Sequence, residues 1–536
     1  MIDRILLNAR IHTLNPAQPS ATALAIWRER IVAVGTDDAI RALAGPRTAL
    51  DNAEGRVVIP GLTDAHIHWE GVARSLHSVD LFEVPSKEEA LRRAAARARQ
   101  TPPGEWIVGR GWTQAVWPGA AFPAAADLDA VAPDHPVYLT AKSGHAAWVN
   151  SLALRRAGIS AGTPDPAGGT FVRDAGGAPT GLLLEGPAMK LVERLIPDPL
   201  PDQLAGWMAE AQRQAWAAGL TGLHDYDNPS CLVALQILRE RGDLGLRVVK
   251  QINDPWIEHA HELGLRSGFG DAWLRIGGLK IFADGALGPR TAHMLAPYEG
   301  EPDNVGIVVT DKETMFELVS RASAAGLPST IHAIGDRAVR DVLDVYQAVR
   351  AQEAARGIPR AARRHRIEHV QIIHPDDAGR LGALEIIASM QPIHATSDYE
   401  MADRYWGARA RWSYNWRLQL QAGAMLAFGS DAPVEPFAPL LGIFAAVTRR
   451  RPDGSPGPDG WYPEGRLDMD TTLRAFTQGP AYAAGLEREL GTLAPGYLAD
   501  LVVLDRDLYV TPPDEILATR VLGTMVGGAW KHRLFG

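Results

Sequence analysis

Two histidines one residue apart, His66 and His68, close the run Val57-Val58-Ile59-Pro60-Gly61-Leu62-Thr63-Asp64-Ala65-His66-Ile67-His68. The stretch before them is apolar and strand-like, and on a strand residues i and i+2 face the same side. Both imidazoles can therefore reach one point, and imidazole is a common ligand for zinc and related ions. Comparable groups recur downstream at the ends of apolar stretches: Lys280 within 276–285, His332 within 329–333, His369 within 366–371 and Asp431 within 427–433. Each has a quieter alternative. A histidine at a strand end is ordinarily hydrogen-bonded structure, Lys280 could pair with Asp284 or Glu368, and Asp431 before Ala-Pro could form an Asx-turn. Taken together, these nitrogen and carboxylate donors point to one metal site suited to zinc, and also to manganese, iron or nickel.

These side chains need a scaffold that brings distant strand ends together. Strand and helix patterns alternate through the middle of the chain, which favours a parallel sheet with covering helices. The candidate strands lie near 57–68, 219–226, 246–252, 274–284, 328–334, 366–371, 386–391 and 425–431. Eight such units make an α/β (β/α)8 TIM barrel, with its active site at the C-terminal ends of the strands. The barrel is expected over 58–79 plus 196–486. The two chain ends read as short strands, with a hairpin over 25–35, and are expected to combine (1–57 plus 487–536) into one composite β-sandwich. From His68 to the second strand is about 150 residues, far more than one helix and its loops require. An inserted α/β module is therefore expected near 80–195; leaving after strand 1, it would emerge on the active-site face and cover the pocket.

The bulk properties narrow the partners. A net charge of −9 over 536 residues gives no electrostatic case for nucleic acid. No apolar run approaches the roughly 20 residues that span a bilayer. The single cysteine, Cys231, rules out an intrachain disulfide and a cysteine-cluster metal site. A small-molecule substrate and a cytoplasmic setting, with neither nucleic acid nor membrane as partner, are the resulting expectations.

With these residues in place, the sequence resembles the amidohydrolase superfamily of metal-dependent hydrolases. The matching motifs are 60–68, the Lys280 strand, His332, His369 and Gly429-Ser430-Asp431-Ala432-Pro433. More narrowly it is similar to the "amidohydrolase 3" branch that contains N-substituted formamide deformylases. The motifs there are Gly109-Arg110-Gly111-Trp112, 144–150, 280–288, 332–336 and 391–398, and the likeness covers essentially the whole chain. The branch often has Asp before Gly-His-Ala, where this chain has Ser143, so its preferred substrate could differ. The resemblance implies two metal ions, zinc above all. His66 and His68 would hold one together with Asp431, and His332 and His369 the other. Lys280 would carry a CO2-derived carbamate bridging both. It also implies a homo-oligomer, typically a dimer.

The implied reaction is hydrolysis of a C–N, amide-type bond by metal-activated water, with Asp431 as the catalytic proton carrier. An ester, carbamate or lactone hydrolase on the same site is the nearest alternative. A deaminase is disfavoured because Ala333-Ile334-Gly335-Asp336 supplies no glutamate after His332. A catalytically silent binding protein that keeps the fold is the remaining alternative. Trp112, His145, His394 and Asp398 fall in branch motifs and are expected to bind substrate. For His145 a helix cap, and for Trp112 the core of the inserted module, are the alternatives. Among 15 tryptophans, Trp69, Trp112, Trp117 and Trp406 lie in stretches expected over the pocket, which would suit a hydrophobic or aryl substrate. Arg290 could meet a substrate anion or a structural carboxylate.

Overall fold

The computed structural model describes residues 2–82, 84–114, 117–142 and 145–535. Its central feature is an eight-stranded, all-parallel sheet whose strands neighbour one another in chain order. These are β1 (Leu62–Ile67), β2 (Leu220–Asp225), β3 (Arg247–Asn253), β4 (Leu274–Phe282), β5 (Ser329–Ala333), β6 (Arg366–His369), β7 (Ile387–Met390) and β8 (Leu426–Phe428). Strands such as β2, β6 and β7 are buried at every position, as expected of a sheet covered on both faces. All eight expected strands are present, and the fold is the (β/α)8 barrel.

The first and last strands meet just past the sheet ladder. Asp431 N donates to His66 O (2.7 Å) and His68 N donates to Ala432 O (2.8 Å). Asp64 accepts from His66 N (3.0 Å), Ser430 N (3.0 Å) and Ser430 Oγ (2.6 Å). Burial pushes its carboxyl up to about 7, against the pull of the Ser430 and His66 hydrogen bonds. The approach is so close that a Cβ at Gly429 would lie 2.4 Å from His66 N, so no other residue fits there.

The apolar run 57–68 is not one strand. Val57–Pro60 pairs with Leu501–Leu504 and Arg10–His12 in a terminal sheet, while Leu62–Ile67 enters the barrel. The break falls at Gly61, whose N–H goes to Asp500 O (2.9 Å) and whose Cβ would strike Thr221 Oγ1 at 2.3 Å. The terminal sheets are a four-stranded one built on Arg4–Leu7, Ala23–Trp27, Arg30–Gly35 and Ala49–Asn52, and a six-stranded one containing Leu501–Leu504 and Val521–Val526. Leu6, Leu24 and Ile26 of the first share a buried core with Val58, Leu501, Val503 and Met525 of the second.

The chain forms two compact units, 1–71 with 208–536, and 72–207. The second is wider than the 80–195 read from the sequence, because the chain passes between units inside the helices Trp69–Leu76 and Pro201–Ala217. It carries its own six-stranded sheet, in the order Thr170–Arg173, Pro179–Leu184, Ala146–Val149, Val137–Ala141, Ile107–Trp112, Val79–Asp80. Among the described residues, no helix is long and apolar enough to cross a membrane.

Candidate metal centre

The site lies at the C-terminal ends of the barrel strands. His66 is in β1 and His68 follows it, Lys280 is in β4, His332 in β5, His369 ends β6, and Asp431 lies three residues beyond β8. Asp431 Oδ1 is 3.4 Å from His66 Nε2 and 3.5 Å from His68 Nε2, so the i, i+2 pair does reach one point. The His369 ring is 4.9 Å from that of His66 and 4.6 Å from that of His332. Ligand atoms of His66, His369 and Asp431 lie within 4.8 Å of one another, and all three residues are buried.

Backbone conformation helps to aim these groups. Arg366 and Glu368 alternate with Ile367 and His369 along β6, so regular strand geometry would send His369 away from Glu368. His369 and Val370 instead have φ of 76° and 45°, and Asp431 has φ of 62°. Left-handed backbone at non-glycine residues is costly, and it persists where surrounding structure holds it. Here the closing hydrogen bond of the barrel fixes Asp431, and Val370 N donates to Ala333 O (3.1 Å).

Each imidazole is also held from behind. His66 Nδ1 donates to Glu368 Oε2 (2.6 Å), His68 Nδ1 to Asp227 Oδ1 (3.0 Å) and His369 Nδ1 to Gln391 Oε1 (2.8 Å). This leaves the three Nε2 atoms as the available donors, the arrangement in which metal-ligating histidines are found. His332 is reversed: its Nε2 donates to Gly285 O (2.9 Å), leaving Nδ1 available.

Charge is tightly managed. Burial, and then the Lys280 charge, pull His332 down to about 3, and burial lowers His66 and takes His369 far below its ordinary range. Those rings are neutral, as ligands must be. Burial opposes charge on His68 too, but its hydrogen bonds to Asp227 and Asp431 outweigh it and push it up to about 10. Burial would raise Asp431, yet His66, His394 and His68 hold it well below the carboxylate range. Lys280 is 1% exposed, and burial lowers its amine to about 8. The amine sits 4.8 Å from the Tyr226 ring centroid and 4.5 Å from that of Phe282. Tyr226 in turn stacks on His66 at 3.8 Å.

The other expected site residues divide. His394 joins the cluster, buried, with Nε2 3.4 Å from Asp431 Oδ2. Asp398 lies one helical turn on, with its Oδ2 4.0 Å from His394 Nδ1 and accepting from Tyr414 OH at 2.7 Å. Trp112 is corrected: it is fully buried in the core of the second unit beside Trp117 and Trp148, with Nε1 donating to Leu139 O (2.8 Å). Trp69, Trp117 and Trp406 are likewise buried. His145, also in the second unit, is exposed and pairs with Glu185 Oε2 at 2.9 Å. Ser143 and Gly144 lie outside the described residues. Arg290 meets a structural carboxylate, Glu301, at 3.0 Å.

The sequence reading missed the residues behind the ligands: Glu368 as partner of His66, and Asp227, Gln391 and Tyr226. Two signals pointed to them. Asp225 ends β2 and Asp227 follows it, at the same i, i+2 spacing as His66 and His68, and Arg366-Ile367-Glu368 places two opposite charges on one face of an apolar strand. Arg366 Nε is 3.2 Å from Glu368 Oε1 inside the barrel.

Residues 50–530 match the sequence profile of the amidohydrolase family. The protein LONG AFTER FAR-RED 3 of Arabidopsis thaliana is 34% identical over 98% of this chain and 91% of its own length. The N-substituted formamide deformylase of Arthrobacter pascens is 30% identical over 100% of this chain and 99% of its own. The crystal structure of an uncharacterized metal-dependent hydrolase from Pyrococcus furiosus superposes with a TM-score of 0.78 at 27% identity, covering 94% of this chain and 99% of that one. The chain belongs to the amidohydrolase family.

Proposed function

We propose that this protein is a metal-dependent hydrolase that cleaves a C–N, amide-type bond of a small apolar substrate with water. The observation that carries the reading is the convergence of His66, His369 and Asp431 ligand atoms within 4.8 Å, buried, with both imidazoles held from behind. This donor set fits a divalent ion of the zinc type, and its division into His66–His68–Asp431 and His332–His369 fits two. When bound, such ions lower the pKa of water and polarise a carbonyl.

The chain's own groups do the rest. Asp431 turns Oδ1 toward His66 and His68 and Oδ2 toward His394, so one carboxylate faces both the ligand cluster and a second imidazole. It takes the proton of the attacking water and delivers it to the departing nitrogen. Glu368, Asp227 and Gln391 keep the rings aimed. Lys280 is read as carboxylated: its neutral nitrogen would attack CO2, the N–C bond forming as one C=O π bond opens onto oxygen, and one N–H proton would leave for solvent. The resulting anion would replace a cation among the buried donors and would offer oxygen ligands to bound ions.

The test is metal analysis of the purified protein, followed by assay of metal-replete enzyme on N-formyl amines, N-acyl amides and aryl esters. Zinc or a related ion at one to two equivalents, with amides turned over, supports the reading. Ester turnover without amide turnover moves the bond from C–N to C–O. No bound metal and no turnover of any activated carbonyl compound removes it.

A further inference from the structure

With Trp69, Trp112, Trp117 and Trp406 all buried, an exposed aromatic surface beside the site must be sought elsewhere. Phe282 ends β4 two residues after Lys280, so the two side chains share a face. Its ring centroid is 4.5 Å from Lys280 Nζ and 5.1 Å from the His332 ring, and His332 is its register partner on β5. Residues 276–281 of the same strand are all buried, yet Phe282 is 37% exposed. One side of the ring therefore rests on the ligand cluster while the rest is wet. The apolar surface continues beside it. Val309 N donates to Ala283 O (2.9 Å), Val308 forms a β-bridge with Asp284, and both valines are half-exposed.

Resting on the hydrolase reading above, we propose that Phe282 is the specificity-determining wall of this site. Its open face receives an apolar group, above all an aryl group, carried next to the reacting carbonyl. Covering the ring removes apolar area from water on both partners, and stacked or edge-on aromatic contact adds to that gain. The ring is already held by Lys280 and His332, so little ordering cost opposes binding. A methyl group in the same place would leave most of the ring wet.

The experiment is calorimetric titration of zinc-loaded protein with benzohydroxamate and acetohydroxamate, two metal-binding probes that differ only in the apolar group. Wild type should bind the aryl probe about tenfold or more tighter than the methyl probe. Phe282→Ala should bring that ratio near unity while acetohydroxamate binding stays within about threefold of wild type, and Phe282→Leu should fall between. Zinc content and melting temperature should not change in either variant. Equal binding of both probes by wild type, or an equal loss of both in Phe282→Ala, overturns the proposal and leaves the ring as a cover for Lys280. If neither probe binds, this proposal and the hydrolase reading fall together. If the aryl preference holds but no carbonyl compound is turned over, the hydrolase reading falls alone.

Discussion

At the N-terminal end of the barrel, Ser329 Oγ donates to His365 Nδ1 (2.9 Å), and His365 Nε2 donates to Glu353 Oε1 (2.9 Å). The order is that of a Ser-His-acid triad. At the C-terminal end, His66, His68, His369 and Asp431 form the other histidine-rich cluster. At the first end both nitrogens of the histidine and both oxygens of the carboxylate are engaged. His365 Nδ1 also accepts from Ser329 N (3.0 Å), while Glu353 also takes Ser323 Oγ (2.5 Å) and Arg350 Nη1 (2.8 Å). All these side chains are buried, and both His365 nitrogens are paired within the network. At the second end His66, His68 and His369 are each held from behind through Nδ1, the Nε2 atoms of His66 and His68 converge on Asp431, and two of the converging residues have left-handed backbone. A triad's order of atoms is thus no sign of chemistry by itself. What marks the candidate site is ligand atoms held in place and turned toward one point.

The sharpest way to break this comparison is Asp431→Asn. It should reduce kcat by about a thousandfold or more while leaving metal content nearly intact, read by elemental analysis beside steady-state kinetics. Near-normal turnover in metal-loaded variant would remove the assigned proton carrier. Glu353→Ala should do the reverse. It strands the buried Arg350 and His365, so folding stability should fall by about 3–5 kcal/mol in urea titrations. The kcat of the molecules that remain folded should stay within about twofold of wild type. Lost turnover at full stability would move chemistry to the other end of the barrel.

The contrast also explains what the sequence could reveal. The barrel strands were legible because parallel strands buried on both faces read as apolar runs between helical patterns. The candidate site was legible because His66, His332, His369 and Asp431 end such runs. What escaped depends on contacts between residues far apart in the chain. Glu368 pairs with His66 across 302 positions, and no local pattern announces that. The break at Gly61 comes from Thr221, again distant in sequence. Trp112 is misread from sequence because a tryptophan in a loop-rich insertion looks the same whether it lines a pocket or fills a core. Only the sheet around it, with Leu139 O receiving its N–H, decides.

A smaller effect sharpens the active end. Glu368→Gln keeps the shape but removes the charge that holds His66 Nδ1–H, so metal affinity should fall by about 10- to 100-fold in chelator competition. An unchanged affinity would mean that Tyr226, stacked on the His66 ring, orients it without the carboxylate.

The smallest effect concerns acid. Burial opposes the charge of Glu353, but hydrogen bonds from His365, Ser323 and Arg350 outweigh it and hold the carboxyl near 2, below its ordinary 4.5. A depressed carboxylate stabilises the fold at pH above its unfolded value, and that contribution is lost as pH falls from about 4.5 toward 2. Burial also lowers His365, against Glu353, so its contribution fades as pH drops below its ordinary 6.5. Both shifts have the same sign, and the closed network should weaken from mild acid downward. The C-terminal cluster titrates too, so the clean measurement is the stability gap between wild type and Glu353→Gln, in which those other titrations cancel. Between pH 7 and pH 4 that gap should narrow by about 1 kcal/mol, or about 1–2 °C in Tm. A gap that widens on acidification would show that the buried carboxyl is protonated in the native fold. The N-terminal end of the barrel would then hold a neutral acid in place of a fully paired carboxylate.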